Sequence, residues 1–223
     1  MHNSFLFGAR YYQGNLDRKQ GFGSDKSDAD FSYYNFENST SSSFIFPSRN
    51  IAIFSENIFQ LTKNFTVTPG FRYEYINTVV GGSYTNIYYD NAGNQLEKRT
   101  TDLDDKNTRS FPLFGLGTSY YLGKKIEMYG NISQNYRAIT FNDMRVINPS
   151  LRVDTLLRDE NGFNADLGWR GKINSVWDFD VTLFYLSYND RIGIVQKIDP
   201  VKYNIYRLRT NISDSRTYGI ESF

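Results

Sequence analysis

An arginine and a glutamate two residues apart are the first side chains whose types and spacing could do chemistry. Arg72 and Glu74 lie in the run FTVTPGFRYEYINTVV (65–80), and Arg10 lies in a second run, SFLFGARYY. A guanidinium group is a planar fork of donors that can bind a carboxylate through two hydrogen bonds. Arg10 and Arg72 are therefore candidate residues for binding an anion. The alternative is that both pair with acids of the protein itself, such as Glu74 or Glu56.

The residues that other chemistries need are scarce. The chain of 223 residues has no cysteine, which excludes disulfides, thiolate metal sites and a cysteine nucleophile. Its single histidine is His2, so neither a histidine-based triad nor a multi-histidine metal site is expected. Asp178 and Asp180 resemble the paired acids of a hydrolase, but no nucleophile accompanies them. A net charge of +1 gives no field that would attract nucleic acid. We expect no enzyme activity, no resident cofactor or metal, and no nucleic-acid partner.

Alternation along residues 65–80 predicts a strand with two different faces. One face carries apolar and aromatic residues, namely Phe65, Val67, Phe71, Tyr73 and Tyr75, whereas the opposite face carries Arg72 and Glu74. In a soluble sheet the apolar face covers a core. In an outer-membrane barrel the apolar face contacts lipid and the polar face lines the lumen. By the same alternation, Arg10 lies on the polar face of its own strand.

The connections between strands favour the barrel. Eight strands are predicted, over residues 3–13, 48–61, 65–80, 109–122, 126–136, 162–173, 176–190 and 216–223. Short turns at 62–64, 123–125 and 174–175 alternate with long polar segments at 14–47, 80–108, 137–161 and 191–215. Outer-membrane barrels have this alternation of short turns and long outer loops. The strands also match the ~9–11 residues that cross a bilayer better than the ~5–6 residues of globular sheets.

The predicted fold class is therefore all-β: an antiparallel transmembrane β-barrel segment of about eight strands. The long segments are turn-rich and charged, and TDLDDKN (101–107) is interpreted as a solvated loop. Two β-like runs within them, SYTNIYY (83–89) and residues 192–198, could extend hairpins beyond the membrane.

Both ends of the chain resemble interior parts of a longer protein. The N-terminal run MHNSFLFGARYYQ lacks the charged and apolar regions of a signal peptide. At the other end, Phe223 is out of phase with the apolar pair Tyr218 and Ile220, unlike the last residue of a complete terminal strand. We expect residues 1–223 to be one partial barrel domain, truncated at both ends.

Several runs resemble TonB-dependent outer-membrane receptors, and most closely the ferric-dicitrate type. They are FLFGARYYQGNLDRKQGFGSD, ENIFQLTKNFTVTPGFRYEYI, MYGNISQNYRAITFNDM and ADLGWRG with the DFDVTLFYLSYNDRI and TYGIE runs that follow it. The likeness extends over roughly residues 4–222, and the TPG-x-R-x-E run is its most specific part.

The resemblance implies part of a barrel of about 22 strands, in the outer membrane of a Gram-negative bacterium. The family's plug domain, which fills the lumen and reaches the energy-coupling protein TonB, is absent from this sequence. The implied ligand is a ferric siderophore, with iron(III)-citrate as cargo, and Arg10 and Arg72 match positions at which the family contacts it. Two alternatives stay open: a small complete outer-membrane pore or adhesin barrel, and a soluble β-sheet binding protein.

Overall fold

Long β-strands make up most of the chain. The computed structural model describes residues 3–24, 27, 32–144, 151–174, 176–200, 203 and 205–223. The strands are β1 (Asn3–Gln20), β2 (Ser41–Gln60), β3 (Phe65–Tyr89), β4 (Gln95–Leu122), β5 (Ile126–Arg137), β6 (Leu151–Val153), β7 (Glu160–Ile173), β8 (Trp177–Ile198) and β9 (Ile205–Ser222). One 3-10 turn (Phe36–Asn38) and one short helix, α1 (Phe141–Met144), interrupt them.

The strands form a sheet in the order β1-β2-β3-β4-β5-β7-β8-β9-β6. Pairing is antiparallel between β4 and β5, β5 and β7, β7 and β8, and β8 and β9. The three-residue β6 is the exception, because it runs parallel to β9. The order starts at β1 and ends at β6, so among the described residues the sheet is open. The prediction of an all-β, mainly antiparallel barrel segment with about eight main strands is confirmed, and β6 is an addition to it.

The strands are longer than predicted, and two segments interpreted as loops are largely strand. Residues 80–89 continue β3, and residues 95–108 belong to β4, including 101–107, so the loop interpretation of TDLDDKN was wrong. The extension of hairpins by residues 83–89 and 192–198 is confirmed.

The turn that joins β3 and β4 is built around Asp90. Its Oδ1 accepts the backbone N–H of Ala92 at 2.9 Å and of Asn94 at 2.7 Å. Asn94 also donates to the other carboxylate oxygen at 2.8 Å. Aspartate often stabilises turns by accepting hydrogen bonds from the backbone two or more residues ahead. The short turn at 123–125 is confirmed, whereas Ser175 of the predicted turn at 174–175 lies outside the described residues.

The chain divides into two compact units. Unit 1 comprises residues 1–10, 51–75 and 110–223, and unit 2 comprises residues 11–50 and 76–109. No helix in the described part of the chain is long and apolar enough to cross a membrane.

Unit 1 carries an apolar row across its sheet that the described residues leave partly exposed. Cross-strand register aligns Leu116, Ile132, Ala165, Tyr185 and Tyr218, and the neighbouring row contains Leu167, Leu183 and Ile220. Leu183 is 40 % exposed and Ile220 is 69 % exposed. The opposite face has Glu127, Arg170 and Asp180 in register. The two faces of this sheet therefore differ in polarity, one apolar and the other charged.

Unit 2 buries apolar side chains in a small core of its own. Phe44, Phe46, Val80 and Ile87 are all buried, and Phe46 is only 1 % exposed. The rings of Phe44 and Phe46 lie 5.9 Å apart. Gly82 has φ +145°, and a Cβ there would lie 2.1 Å from the carbonyl oxygen of Ser43. Only glycine fits such a close approach of two strands.

Candidate functional site

Arg72 lies on β3 next to Glu74, one of the two acids expected from the sequence as its partners. Its Nε donates a hydrogen bond to Glu74 Oε1. Glu74 is buried, at 7 % exposure, whereas Arg72 is half-buried. The two residues share a face because side chains two positions apart on a strand point the same way. The guanidinium carbon also lies 5.6 Å from the centre of the Phe54 ring of β2, within the range of a cation–π contact.

Phe54 connects this arginine to β1. An ideal Cβ built on Gly8 would lie 2.3 Å from the Phe54 ring, so the ring packs directly against the backbone of β1. Arg10 is two residues beyond Gly8 and therefore shares its face. Arg10 is exposed. The structure thus places Arg10 of β1 and Arg72 of β3 on one face of the sheet, with the Phe54 ring on the intervening strand β2.

Both arginines were predicted from the sequence, but the aromatic ring of Phe54 was not. Phe54 lies at an even position of β2, opposite in phase to Ile51 and Ile53, and alternation alone already puts it on the polar face. Its neighbours Gly8 and Arg72 belong to other strands, and their register could not be read from β2. The pairing of Arg72 with Glu74, left open in the sequence, is present. A ligand role for Arg10 and Arg72 stays a prediction.

A ladder of polar side chains crosses β5, β7 and β8 in unit 1. Arg170 Nε donates to Glu127 Oε2 at 2.8 Å, and its guanidinium lies 5.1 Å from the centre of the Tyr129 ring. The Tyr129 hydroxyl donates to Asp180 Oδ1 at 2.9 Å. Asp180 is therefore held in a structural network. Among the described residues, no group of three or more histidines, cysteines or acids is arranged to hold a metal ion.

A second polar cluster surrounds the end of β5, where a long connection begins. Arg137 donates through Nη1 to Glu160 Oε1 at 2.9 Å and through Nη2 to Asp143 Oδ2 at 2.9 Å. The backbone N–H of Ile192 donates to the same Glu160 oxygen at 2.9 Å. Arg209 Nη1 donates to the carbonyl of Asp143 at 3.0 Å. These contacts tie α1 to β5, β7, β8 and β9, so the cluster holds the long connections in place.

Asp154 lies beside this cluster, in the connection between β6 and β7. The Thr210 hydroxyl donates to its Oδ2 at 2.6 Å, and the backbone N–H of Leu156 donates to its Oδ1 at 2.9 Å. Both hydrogen bonds favour the ionised carboxylate, and they hold the pKa of Asp154 below its usual value, with the Thr210 bond as the larger cause. The carboxylate therefore stays charged in moderately acidic solution.

A model of one protein family matches almost the whole chain. Residues 2–222 match the family model described as TonB dependent receptor-like, beta-barrel. No curated protein matches the sequence.

Solved structures share the fold at low sequence identity. The copper transporter OprC is 13 % identical with a TM-score of 0.67, over 99 % of this chain and 32 % of that one. The Serratia marcescens hemophore receptor HasR, solved with its hemophore HasA and heme, is 12 % identical with a TM-score of 0.61, over 99 % of this chain and 39 % of that one.

The ferric-catecholate import receptor Fiu from K12 E. coli is 13 % identical with a TM-score of 0.58, over 83 % of this chain and 26 % of that one. The chain therefore spans between 26 % and 39 % of the length of these three proteins. At such identities the likeness concerns the fold alone.

Proposed function

The chain belongs to the TonB-dependent receptor β-barrel family, and from this premise we propose that it is part of an outer-membrane receptor that takes up ferric citrate. The placement is the outer membrane of a Gram-negative bacterium, with the apolar face of unit 1 against lipid. The exposed row that contains Leu183 and Ile220 supports this placement. It also favours a receptor segment over a soluble β-sheet protein, which would cover such a row.

The observation that carries the ligand proposal is the shared face of Arg10 and Arg72. Iron(III)-citrate is an anion whose outer surface is rich in carboxylates, and arginine binds carboxylates through paired hydrogen bonds. Arg72 uses Nε for Glu74. Its two terminal amino groups carry the remaining donors of the guanidinium fork, which suit a ligand carboxylate. Glu74 therefore orients Arg72 and does not compete with the ligand for those donors.

Phe54 gives this arrangement its stiffness. Its ring packs on the backbone at Gly8 and lies under the guanidinium of Arg72. An aromatic ring beneath a guanidinium limits the directions in which the group can turn.

In the proposed receptor, iron is the cargo. Import is driven by TonB through a plug domain supplied outside residues 1–223.

Substitution of Arg72 in the intact receptor tests the ligand assignment. We expect Arg72→Ala to weaken ferric-citrate binding about tenfold or more, since a hydrogen bond to a charged group contributes about 1.5–3 kcal/mol. Arg10→Ala should weaken binding by a smaller factor because Arg10 is more exposed. Titration calorimetry on detergent-purified protein measures both.

Two controls make the result specific. Lys63→Ala removes a cation from the short turn that precedes β3 and should leave the affinity unchanged. Glu74→Gln keeps the shape of the side chain but removes its charge, so ligand binding should be retained or strengthened. If Arg72→Ala binds ferric citrate as tightly as the wild type while remaining folded, Arg72 serves only to pair with Glu74.

A further inference from the structure

A polar groove in unit 2 is separate from the two arginines discussed above. It is a cavity of about 390 Å³ on three strands, lined mainly by Gln13, Asn15, Pro47, Arg49, Asn77 and Val79. Its lining contains one cation, three carboxamides and no acid. This combination differs from the polar ladder of unit 1, in which the arginine, Arg170, pairs with the carboxylate of Glu127.

The groups of the groove are suited to an anionic ligand that also carries hydroxyls. Arg49 is exposed and supplies the positive charge. Asn77 has a carboxamide oxygen that is shielded from solvent and accepts no hydrogen bond from the described residues. The Tyr11 hydroxyl donates to Gln13 Oε1 at 2.5 Å, which leaves the amide NH₂ of Gln13 as a donor. Carboxamides both donate and accept, so they match sugar hydroxyls.

The position of the groove along the strands, relative to the hydrocarbon region of the bilayer, indicates what kind of ligand can reach it. Three groove residues lie two positions from an apolar residue on the same face: Gln13 follows Tyr11, Arg49 precedes Ile51, and Asn77 follows Tyr75. A tilted strand crosses the bilayer in about 9–11 residues, and a crossing that starts at Phe65 ends near Tyr75. Asn77 then lies just beyond the hydrocarbon region. It is on the side of the long connections, which in outer-membrane barrels is the outside.

We propose that this groove binds the phosphate-bearing sugar headgroup of a lipid in the outer leaflet. The proposal rests on the outer-membrane placement given above. Arg49 pairs with the phosphate through its guanidinium fork. The carboxamides of Gln13 and Asn77 bind sugar hydroxyls. An acid-free lining is required for this role, because a carboxylate would repel the phosphate.

Lipid binding to the intact, detergent-purified receptor tests the groove. The probes are a bisphosphorylated glucosamine disaccharide lipid, the same lipid without phosphates, phosphatidylglycerol, and inorganic phosphate, with bound lipid measured by native mass spectrometry. We expect Arg49→Glu to lower the affinity for the phosphorylated glycolipid about tenfold or more, and Asn77→Leu to lower it by a smaller factor. The matched control is Arg216→Glu, which changes an exposed arginine two residues from Tyr218 on β9.

The outcomes separate the possible ligands. Binding that needs both the phosphates and Arg49, and that Arg216→Glu leaves intact, supports the proposal. Equal binding by Arg49→Glu and wild type, or by the phosphate-free lipid, overturns it. If phosphatidylglycerol binds equally well, the groove does not recognise the sugar, and the proposal is overturned. If millimolar inorganic phosphate displaces the lipid, the groove binds a free anion, and the proposal is overturned as well. Ferric-citrate titration of the same samples keeps this test independent, because Arg49→Glu should leave citrate affinity unchanged.

Discussion

The two units of this chain differ in where they place their large apolar side chains. Unit 2 buries Phe44, Phe46 and Val80 in a small core, as a water-soluble sheet does. Unit 1 leaves Leu183 and Ile220 uncovered on one face, and puts its charges into a ladder on the other. The hydrophobic effect disfavours an uncovered apolar row in water, so that row suits the lipid contact proposed above. The difference teaches that a single strand such as β3, which contributes to both units, can expose apolar side chains in one part and bury them in another.

The largest expected effect tests the core of unit 2. Phe46→Ala should lower the free energy of unfolding of this unit by about 3–5 kcal/mol, because it removes a fully buried ring and leaves a cavity. Hydrogen exchange of peptides from 41–50 and 76–89 measures the loss. The neighbour Ile45 is 50 % exposed, so Ile45→Ala should have little effect. Equal losses for the two variants would mean that unit 2 has no separate core.

The next effect tests the uncovered row of unit 1. Leu183→Arg should destabilise the protein in lipid vesicles by about 2–4 kcal/mol, as expected for a charge near the middle of the bilayer. Urea unfolding in vesicles measures it. Leu96→Arg is the control, since Leu96 lies in unit 2 and is also exposed. If both variants unfold like the wild type, the row of unit 1 faces water and the contrast between the units disappears.

The smallest effect concerns one carboxylate in each unit. The Thr210 hydrogen bond lowers the folded-state pKa of Asp154, and the Asn94 hydrogen bond does the same for Asp90. A lowered pKa contributes stability that is fully present above the unfolded value of about 3.9 and is lost as the pH falls through the folded value. Thr210→Val should therefore raise the pKa of Asp154, so that its contribution is lost at a higher pH.

Carboxyl NMR titration of the same variant reads both acids at once. Asp154 should titrate at a higher pH than in the wild type, whereas Asp90 should be unchanged because its partner Asn94 is intact. A shift of Asp90 as well would show that the substitution acts on the whole protein. An unshifted Asp154 would show that the Thr210 bond does not stabilise the ionised acid.

The two faces of each strand could be predicted from the sequence, because alternation with period two is a property of a single strand. Arg72 and Glu74 were placed on the polar side of β3 on this basis, and the structure has them hydrogen bonded. The contact of Phe54 with Arg72 could not be predicted, because it depends on the register between β2 and β3. A single strand does not contain that information.

Residues 80–89 of β3 and 95–108 of β4 were the hardest to predict as strand. Residues 101–107 contain a single apolar side chain, Leu103, among polar and charged ones, which gives no apolar face from which to recognise a strand. Pairing with β3 holds them instead, as the 2.9 Å hydrogen bond between the hydroxyls of Thr85 and Thr100 illustrates. Such a hairpin is stabilised by its partner strand and by the turn at Asp90, so composition alone suggests a loop.

The short parallel strand β6 bears on how the sheet can grow. It lies beside β9 only at Arg207–Arg209, while β8 pairs with the other side of β9 along most of its length. Within the described residues, the β6 side of Thr210–Ser222 therefore has no strand next to it. An uncovered edge attracts further strands, correct or incorrect. Because β6 already occupies one end, an incoming strand can add only along the rest of β9, and β6 acts as a stop that sets how far that strand can extend.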